Sequence, residues 1–181
     1  MADQIVINII GLPGSGKTTL AKEISKQLDF DRIEKDSMRV YLGDHIGFFA
    51  DGFDLPKEVK KIRSEIQFEW VGTLIKYLIA ADRNIILEGG VHSDTRKHAY
   101  DLLRELNPHV KIYTIWLQLE ENLLIRRLEK RDKEETAYLP RSGFERIRDI
   151  FEIPQEGENV LVLNKEESVD DLFNKVKEFI K

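Results

Sequence analysis

A chain of 181 residues is long enough for one core with helices on both faces of a sheet and too short for a second full domain, so residues 1–181 are expected to form one domain. Its net charge of −5 and pI near 5.5 give no basic footprint for gripping long nucleic acid by its backbone. The absence of cysteine excludes disulfides and thiolate metal sites, no apolar run reaches membrane-span length, and Met1-Ala2-Asp3-Gln4 lacks the basic start of a secretory signal, so a cytoplasmic protein is expected.

Hydrophobic periodicity gives alternating strands and helices. The first strand is expected over Gln4 to Ile10, followed by a helix with Leu20, Ile24 and Leu28 at helical spacing. A short second strand is expected at Asp31 to Glu34. A helix over Lys57 to Ala81 follows Pro56, with Ile62, Ile66, Trp70, Leu74 and Leu78 along one face. Strand three is expected at Asn84 to Glu88, and the next helix carries Ala99, Leu102, Leu103 and Leu106 before Asn107-Pro108 ends it. Strand four takes Lys111 to Leu119, charged and polar helices take Glu121 to Arg131 and Phe144 to Phe151, strand five takes Asn159 to Leu163, and Ser168 to Ile180 closes the chain as an amphipathic helix. Strands separated by helical stretches imply a five-stranded, mainly parallel sheet covered on both sides, with ligands at the carboxyl ends of the strands.

The run Gly11-Leu12-Pro13-Gly14-Ser15-Gly16-Lys17-Thr18-Thr19, entered from the apolar strand, satisfies Gly-x-x-x-x-Gly-Lys-[Ser/Thr] in full. Such glycines let successive backbone N–H groups turn toward the α- and β-phosphates of a nucleoside triphosphate. Lys17 then reaches the β- and γ-phosphates, and Thr18 offers its hydroxyl to magnesium. The helix that follows directs its N-terminus at the same anion. A dinucleotide-binding Gly-x-Gly-x-x-Gly does not fit the order of glycines at 11, 14 and 16.

Two further clusters fall at strand ends or on a cover. Asp36 and Arg39 follow strand two and share a helix face three residues apart. Asp36 there either takes or orients the proton of an acceptor hydroxyl, with Arg39 holding an anionic group of the acceptor, or it is an N-cap beside a solvated arginine. Arg127 and Arg131, four apart, project from one helix face. They belong either to a lid, about residues 126–141, that neutralises the transferring phosphoryl group, or to a surface helix paired with Glu120, Glu121 and Glu129. Arg126 and Arg141 are lesser candidates.

Rival classes lack their signals. No Asp-x-x-Gly directly follows a predicted strand, and Asn164-Lys165-Glu166-Glu167 ends in Glu where a guanine reader needs Asp. It reads as a polar loop near an adenine.

With the loop at 11–19, the Asp36-x-x-Arg39 pair, the strand Ile85-Ile86-Leu87 ending in Glu88, Arg127 with Arg131, and the tail Phe151-Glu152-Ile153-Pro154 with Glu156-Gly157, the chain resembles the small P-loop kinases related to the phage-type polynucleotide 5′-kinase. That group includes AAA-type ATP-binding kinases of unassigned substrate. The resemblance implies a three-layer α/β/α P-loop NTPase fold of nucleoside- or nucleotide-kinase type with a helical lid. It also implies that Asp36 activates the hydroxyl, that Arg39 binds an acceptor phosphate, and that Arg127 and Arg131 attend the ATP phosphates. Where the family usually has Asp, Glu88 sets the carboxylate one methylene farther out, still able to orient a magnesium-bound water. Gly89-Gly90-Val91-His92 is either a ligand approach, with His92 touching substrate, or a turn. Phe48, Phe49 and Phe53, within Gly43 to Asp54, form either an acceptor wall or a pinned loop.

Similar aspartate–arginine pairs occur in adenylate kinase-like, adenylyl-sulfate, sugar and shikimate kinases, but Glu88-Gly89-Gly90-Val91-His92 departs from the Asp-Gly-[Phe/Tyr]-Pro-Arg of adenylate kinases. The expected activity is ATP- and Mg²⁺-dependent transfer of the γ-phosphate to an alcohol. The preferred acceptor is a nucleotide or nucleic-acid 5′-hydroxyl, with short nucleic acid as a possible partner. The alternatives are a small metabolite or nucleoside monophosphate as acceptor and, from another class, an ATP-binding or ATPase signalling module that phosphorylates nothing.

Overall fold

The computed structural model describes residues 3–35, 56–130, 139, 141–164 and 166–181. Strand β1 (Ile5–Ile10) is nearly all aliphatic and buried on both faces, which suits the centre of a parallel sheet. Helix α1 (Lys17–Leu28) buries Leu20, Ala21 and Ile24 and leads to β2 (Asp31–Glu34). Helix α2 (Lys57–Ala80), β3 (Ile85–Glu88) and α3 (Ser93–Leu106) follow. Then come β4 (Lys111–Leu117), α4 (Glu121–Glu129), α5 (Arg141–Asp149), β5 (Val160–Leu163) and α6 (Val169–Phe179).

The strands lie in the order β2-β3-β1-β4-β5, and every neighbouring pair is parallel. On one face α1 and α6 pack Leu20, Ile24, Phe173 and Val176 against Ile7, Ile9 and Ile115. On the other, Val71 and Ile75 of α2 and Tyr100 and Leu103 of α3 meet Val6, Ile85 and Leu87. Alternate residues of β1 therefore feed opposite layers, as the two-residue period of a strand requires. A third cluster joins Leu124, Leu128 and Phe144 of α4 and α5 to Leu12. The chain leaves β1 toward β2 and leaves β4 toward β5, so the onward connections of these neighbours diverge and open a crevice at their carboxyl ends.

The expected elements are present; the differences larger than a residue at an end lie in α4, which ends at Glu129, ahead of the expected Arg131, and in β4, α5 and α2. Strand β4 stops at Leu117, two residues short of the expected Leu119. Helix α5 starts at Arg141 instead of Phe144, because its first turn is polar and periodicity registers only from the first apolar residue. It ends before Phe151, whose ring stacks on Trp116 with centroids 6.3 Å apart. The apolar face expected along α2 is buried only in its second half: Ile62 and Ile66 are exposed, and Leu74 and Leu78 pack on the core. A 24-residue helix is about 36 Å long, whereas the four-residue strands beneath it span about 13 Å, so its first half overshoots the sheet.

Candidate nucleotide and metal site

The loop between β1 and α1 is shaped by glycines where side chains do not fit. Gly11 has φ +147°, and a Cβ there would lie 2.6 Å from the Leu117 carbonyl oxygen and 2.8 Å from Ser15 Oγ. Gly14, at φ +84°, lets α4 come close, since a Cβ would sit 3.1 Å from the Leu124 carbonyl oxygen. The Ser15 amide donates to the Leu12 carbonyl at 3.2 Å, and Pro13 fixes φ inside that turn. Helix α1 starts after Gly16 with no side chain capping its first turn, so its leading N–H groups suit an anion. Ser15 Oγ is buried without a hydrogen-bond partner, a further polar atom facing a cradle too tight for side chains. Lys17 Nζ donates to the Gly11 and Leu12 carbonyls at 2.9 and 3.1 Å, holding its ammonium over the loop.

Parallel register brings Thr18 and Glu88 together. Glu34 and Glu88, the last residues of β2 and β3, lie directly opposite each other. Thr18 Oγ1 donates to Glu88 Oε2 at 2.8 Å and stands 3.5 Å from Glu34 Oε1. Arg32, two residues before Glu34 and so on the same strand face, donates through Nε and Nη2 to Glu88 Oε1 at 3.0 and 2.6 Å. Its Nη2 also reaches Glu34 Oε2 at 3.1 Å. Two like charges on facing strand positions repel, and the guanidinium between them offsets that repulsion. A hydroxyl and carboxylate oxygens are the hard donors that magnesium takes, so these residues fit the metal that the loop motif implies. Among the described residues, no cluster of three or more His, Cys, Asp or Glu is arranged to hold a metal unaided.

A cavity of about 340 Å³ occupies the crevice beyond β1 and β4. Its floor includes Gly14, Ser15, Gly16 and Thr19, and its walls include Arg127 and Glu166. Arg127 Nη1 donates to the Gly14 carbonyl at 3.4 Å and Nη2 pairs with Glu166 at 2.8 Å. The loop after β5 thus lies beside the phosphate loop. A second cavity, about 290 Å³, lies between β2 and α2, lined by Arg32, Glu34, Lys35, Trp70, Val71 and Leu74. Asp36, Arg39, the segment from Gly43 to Asp54 and Arg131 lie outside the described residues. His92 precedes α3, half exposed, with Nδ1 3.7 Å from Glu152 Oε1.

The turn after Glu88 is fixed from below. Gly89 and Gly90 both have positive φ, and a Cβ on Gly90 would run into the Arg96 side chain at 2.7 Å. Arg96, 1% exposed, donates to the carbonyls of Gly90, Glu152 and Ile153 and pairs with Glu158 at 3.1 Å. The tail after α5 is thereby tied to the β3 turn. Nearby, the Tyr100 hydroxyl bridges Asn8 and Thr114 at 2.8 Å each, and burial pushes its phenol pKa up. Glu152 accepts from the Ser93 hydroxyl and backbone N–H, which hold its carboxyl below the usual value.

Sequence reasoning missed Arg32 and Glu34 as site residues. Both stand two residues apart on a strand that follows the loop helix, but only the β2–β3 register places them beside Glu88.

The family model described as "AAA domain" matches residues 6–154. A shikimate kinase from Clostridium botulinum is 27% identical over 146 residues, covering 80% of this chain and 77% of that protein. The fold is similar to that of a sugar kinase from Janibacter sp. HTCC2649, with TM-score 0.69 and 21% identity over 98% of this chain and 94% of the other. A chain of the Pnkp1/Rnl/Hen1 RNA repair complex matches with TM-score 0.64 and 18% identity, over 83% of this chain and 44% of the other. No helix among the described residues is long and apolar enough to cross a membrane.

Proposed function

The chain belongs to the AAA domain family, and from that premise we propose that it is an ATP- and magnesium-dependent phosphotransferase that moves the γ-phosphate to an alcohol. The observation that carries this reading is the 2.8 Å contact of Thr18 with Glu88 at the mouth of a complete phosphate loop. In it, the N–H groups of Gly14 to Thr18 hold phosphate oxygens and Lys17 neutralises charge at the transferred group. Thr18 and Glu88 would hold the metal, which would supply charge to shield the phosphate oxygens. Arg127, with Arg131 in a lid at about 126–141, excludes water above the phosphates. Asp36 orients or deprotonates the acceptor hydroxyl, and Arg39 and His92 contact the acceptor.

The acceptor we favour is a small hydroxylated metabolite. The similarity to a shikimate kinase and a sugar kinase supports it, as do the 290 Å³ size of the cavity beyond β2 and the absence of a basic footprint. A nucleotide or nucleic-acid 5′-hydroxyl is the second reading. It is supported by the likeness to the RNA repair complex chain and by the Asp36-x-x-Arg39 pair.

Labelled ATP offered with sugars, ring polyols, nucleotides and short oligonucleotides tests both. Transfer to one class is expected, lost by on the order of a hundredfold or more in Lys17→Ala and Asp36→Asn. Transfer by Asp36→Asn at the parent rate overturns the acceptor assignment. Hydrolysis stimulated by a protein partner, with no acceptor labelled, overturns the kinase reading in favour of a signalling module.

A further inference from the structure

Arg32 has no role in the reading above, yet among the described contacts it makes the shortest ion pair at the site. Its guanidinium engages Glu88 Oε1 twice, at 2.6 and 3.0 Å, and Glu34 Oε2 once, at 3.1 Å. The Glu88 side chain is only 4% exposed and the Arg32 side chain 20%, so water does little to screen the pairing. The fork binds one oxygen of Glu88 and leaves the other, Oε2, to Thr18. A glutamate has one more rotatable bond than an aspartate, and at the end of a strand its carboxylate has more positions to choose from. Arg32 removes that choice. Arg32 also lines the cavity between β2 and α2, so one residue serves both the carboxylate pair and the wall of the second cavity.

We propose that Arg32 is the positioning residue of the metal carboxylate: it pins Glu88 so that Oε2 faces Thr18, and it is the resident counter-ion with which a divalent cation competes in the nucleotide-free protein. The proposal rests on reading Thr18 and Glu88 as the metal pair. Two consequences separate Arg32 from a merely structural ion pair. Removing its charge takes away the guanidinium that faces both carboxylates, which strengthens the attraction for a bare divalent cation. Removing its fork leaves Glu88 unpinned, which slows transfer at saturating ATP without weakening ATP itself.

Mn²⁺ titration of the full chain, followed by electron paramagnetic resonance, tests this in parent, Arg32→Gln and Arg32→Lys, with and without ATP. Arg32→Gln is expected to bind Mn²⁺ on the order of tenfold or more tightly in the absence of nucleotide. Arg32→Lys, which keeps the charge but not the fork, is expected to stay within about threefold of the parent. The double variant Arg32→Gln/Glu88→Gln should lose the gain. Unchanged or weaker Mn²⁺ binding by folded Arg32→Gln, verified by circular dichroism, overturns the assignment. Should Arg32→Gln not fold, a tenfold gain in Arg32→Lys overturns it equally. Failure of the parent to bind Mn²⁺–ATP instead defeats the functional reading, because that measurement does not depend on Arg32.

Discussion

Gly11 is the residue on which the loop geometry turns. An alanine there would need φ near +147°, a region closed to L side chains, with its methyl 2.6 Å from the Leu117 carbonyl oxygen. Gly11→Ala is expected to cost about 1–3 kcal/mol from the strained backbone and to weaken ATP binding as Ser15 and the turn shift. Denaturant melts and nucleotide titration check both effects, and a variant with parental stability and affinity would contradict the cradle. The loop was legible in the sequence because its chemistry is contiguous: Gly11 to Thr19 are neighbours in the chain before they are neighbours in space. The Arg32–Glu34–Glu88 group was not, because Arg32 and Glu88 are 56 residues apart and meet only through strand order. Glu88 alone was visible, as the acidic end of an apolar strand. Sequence offered Arg127 either to a lid over phosphate or to a surface helix paired with Glu120, Glu121 and Glu129. Its described contacts are with Gly14 and Glu166, the second on a loop read only as polar and near an adenine.

Among the elements, α3 shows how a helix start is held by a distant segment. Its leading residues have no side-chain cap of their own, and Glu152, from the tail after α5, accepts from the Ser93 N–H and hydroxyl in that role. The hydroxyl and N–H hydrogen bonds favour the ionised form and hold the Glu152 carboxyl below its ordinary value of 4.5. A carboxylate with a depressed folded-state pKa contributes stability above its unfolded pKa, and that contribution fades as pH falls through the folded one. Glu152→Gln should therefore melt below the parent at neutral pH, with the gap closing as pH drops below about 4.5. A gap that stays constant from pH 7 to pH 3 would mean that the charge is not what holds the helix. Sequence recognised the tail as a motif but not its attachment: Arg96 falls at helical spacing on the same face as Tyr100 and Leu103, and an arginine in that place gives no hint that it is buried. The same limit affected α2, whose apolar stripe runs its full length while the sheet beneath it does not.

At the scale of the molecule, the phosphate loop, α4 and the loop after β5 come from distant parts of the chain and converge on one crevice. A ligand seated there bridges the first third of the sequence to the last, so binding and global stability are linked. With MgATP at a hundred times its dissociation constant, the folded state gains about 2.7 kcal/mol. A chain of 181 residues shifts its Tm by roughly 2–4 °C per kcal/mol, so a rise of about 5–10 °C is expected in a thermal melt. Lys17→Ala should lose most of that rise, because its ammonium is held over the Gly11 and Leu12 carbonyls at the head of the loop. Chelating the metal should reduce the rise by removing the ion that Thr18 and Glu88 are placed to hold. Equal shifts for ATP with and without magnesium would leave the loop as a phosphate site and remove the metal from the Thr18–Glu88 pair.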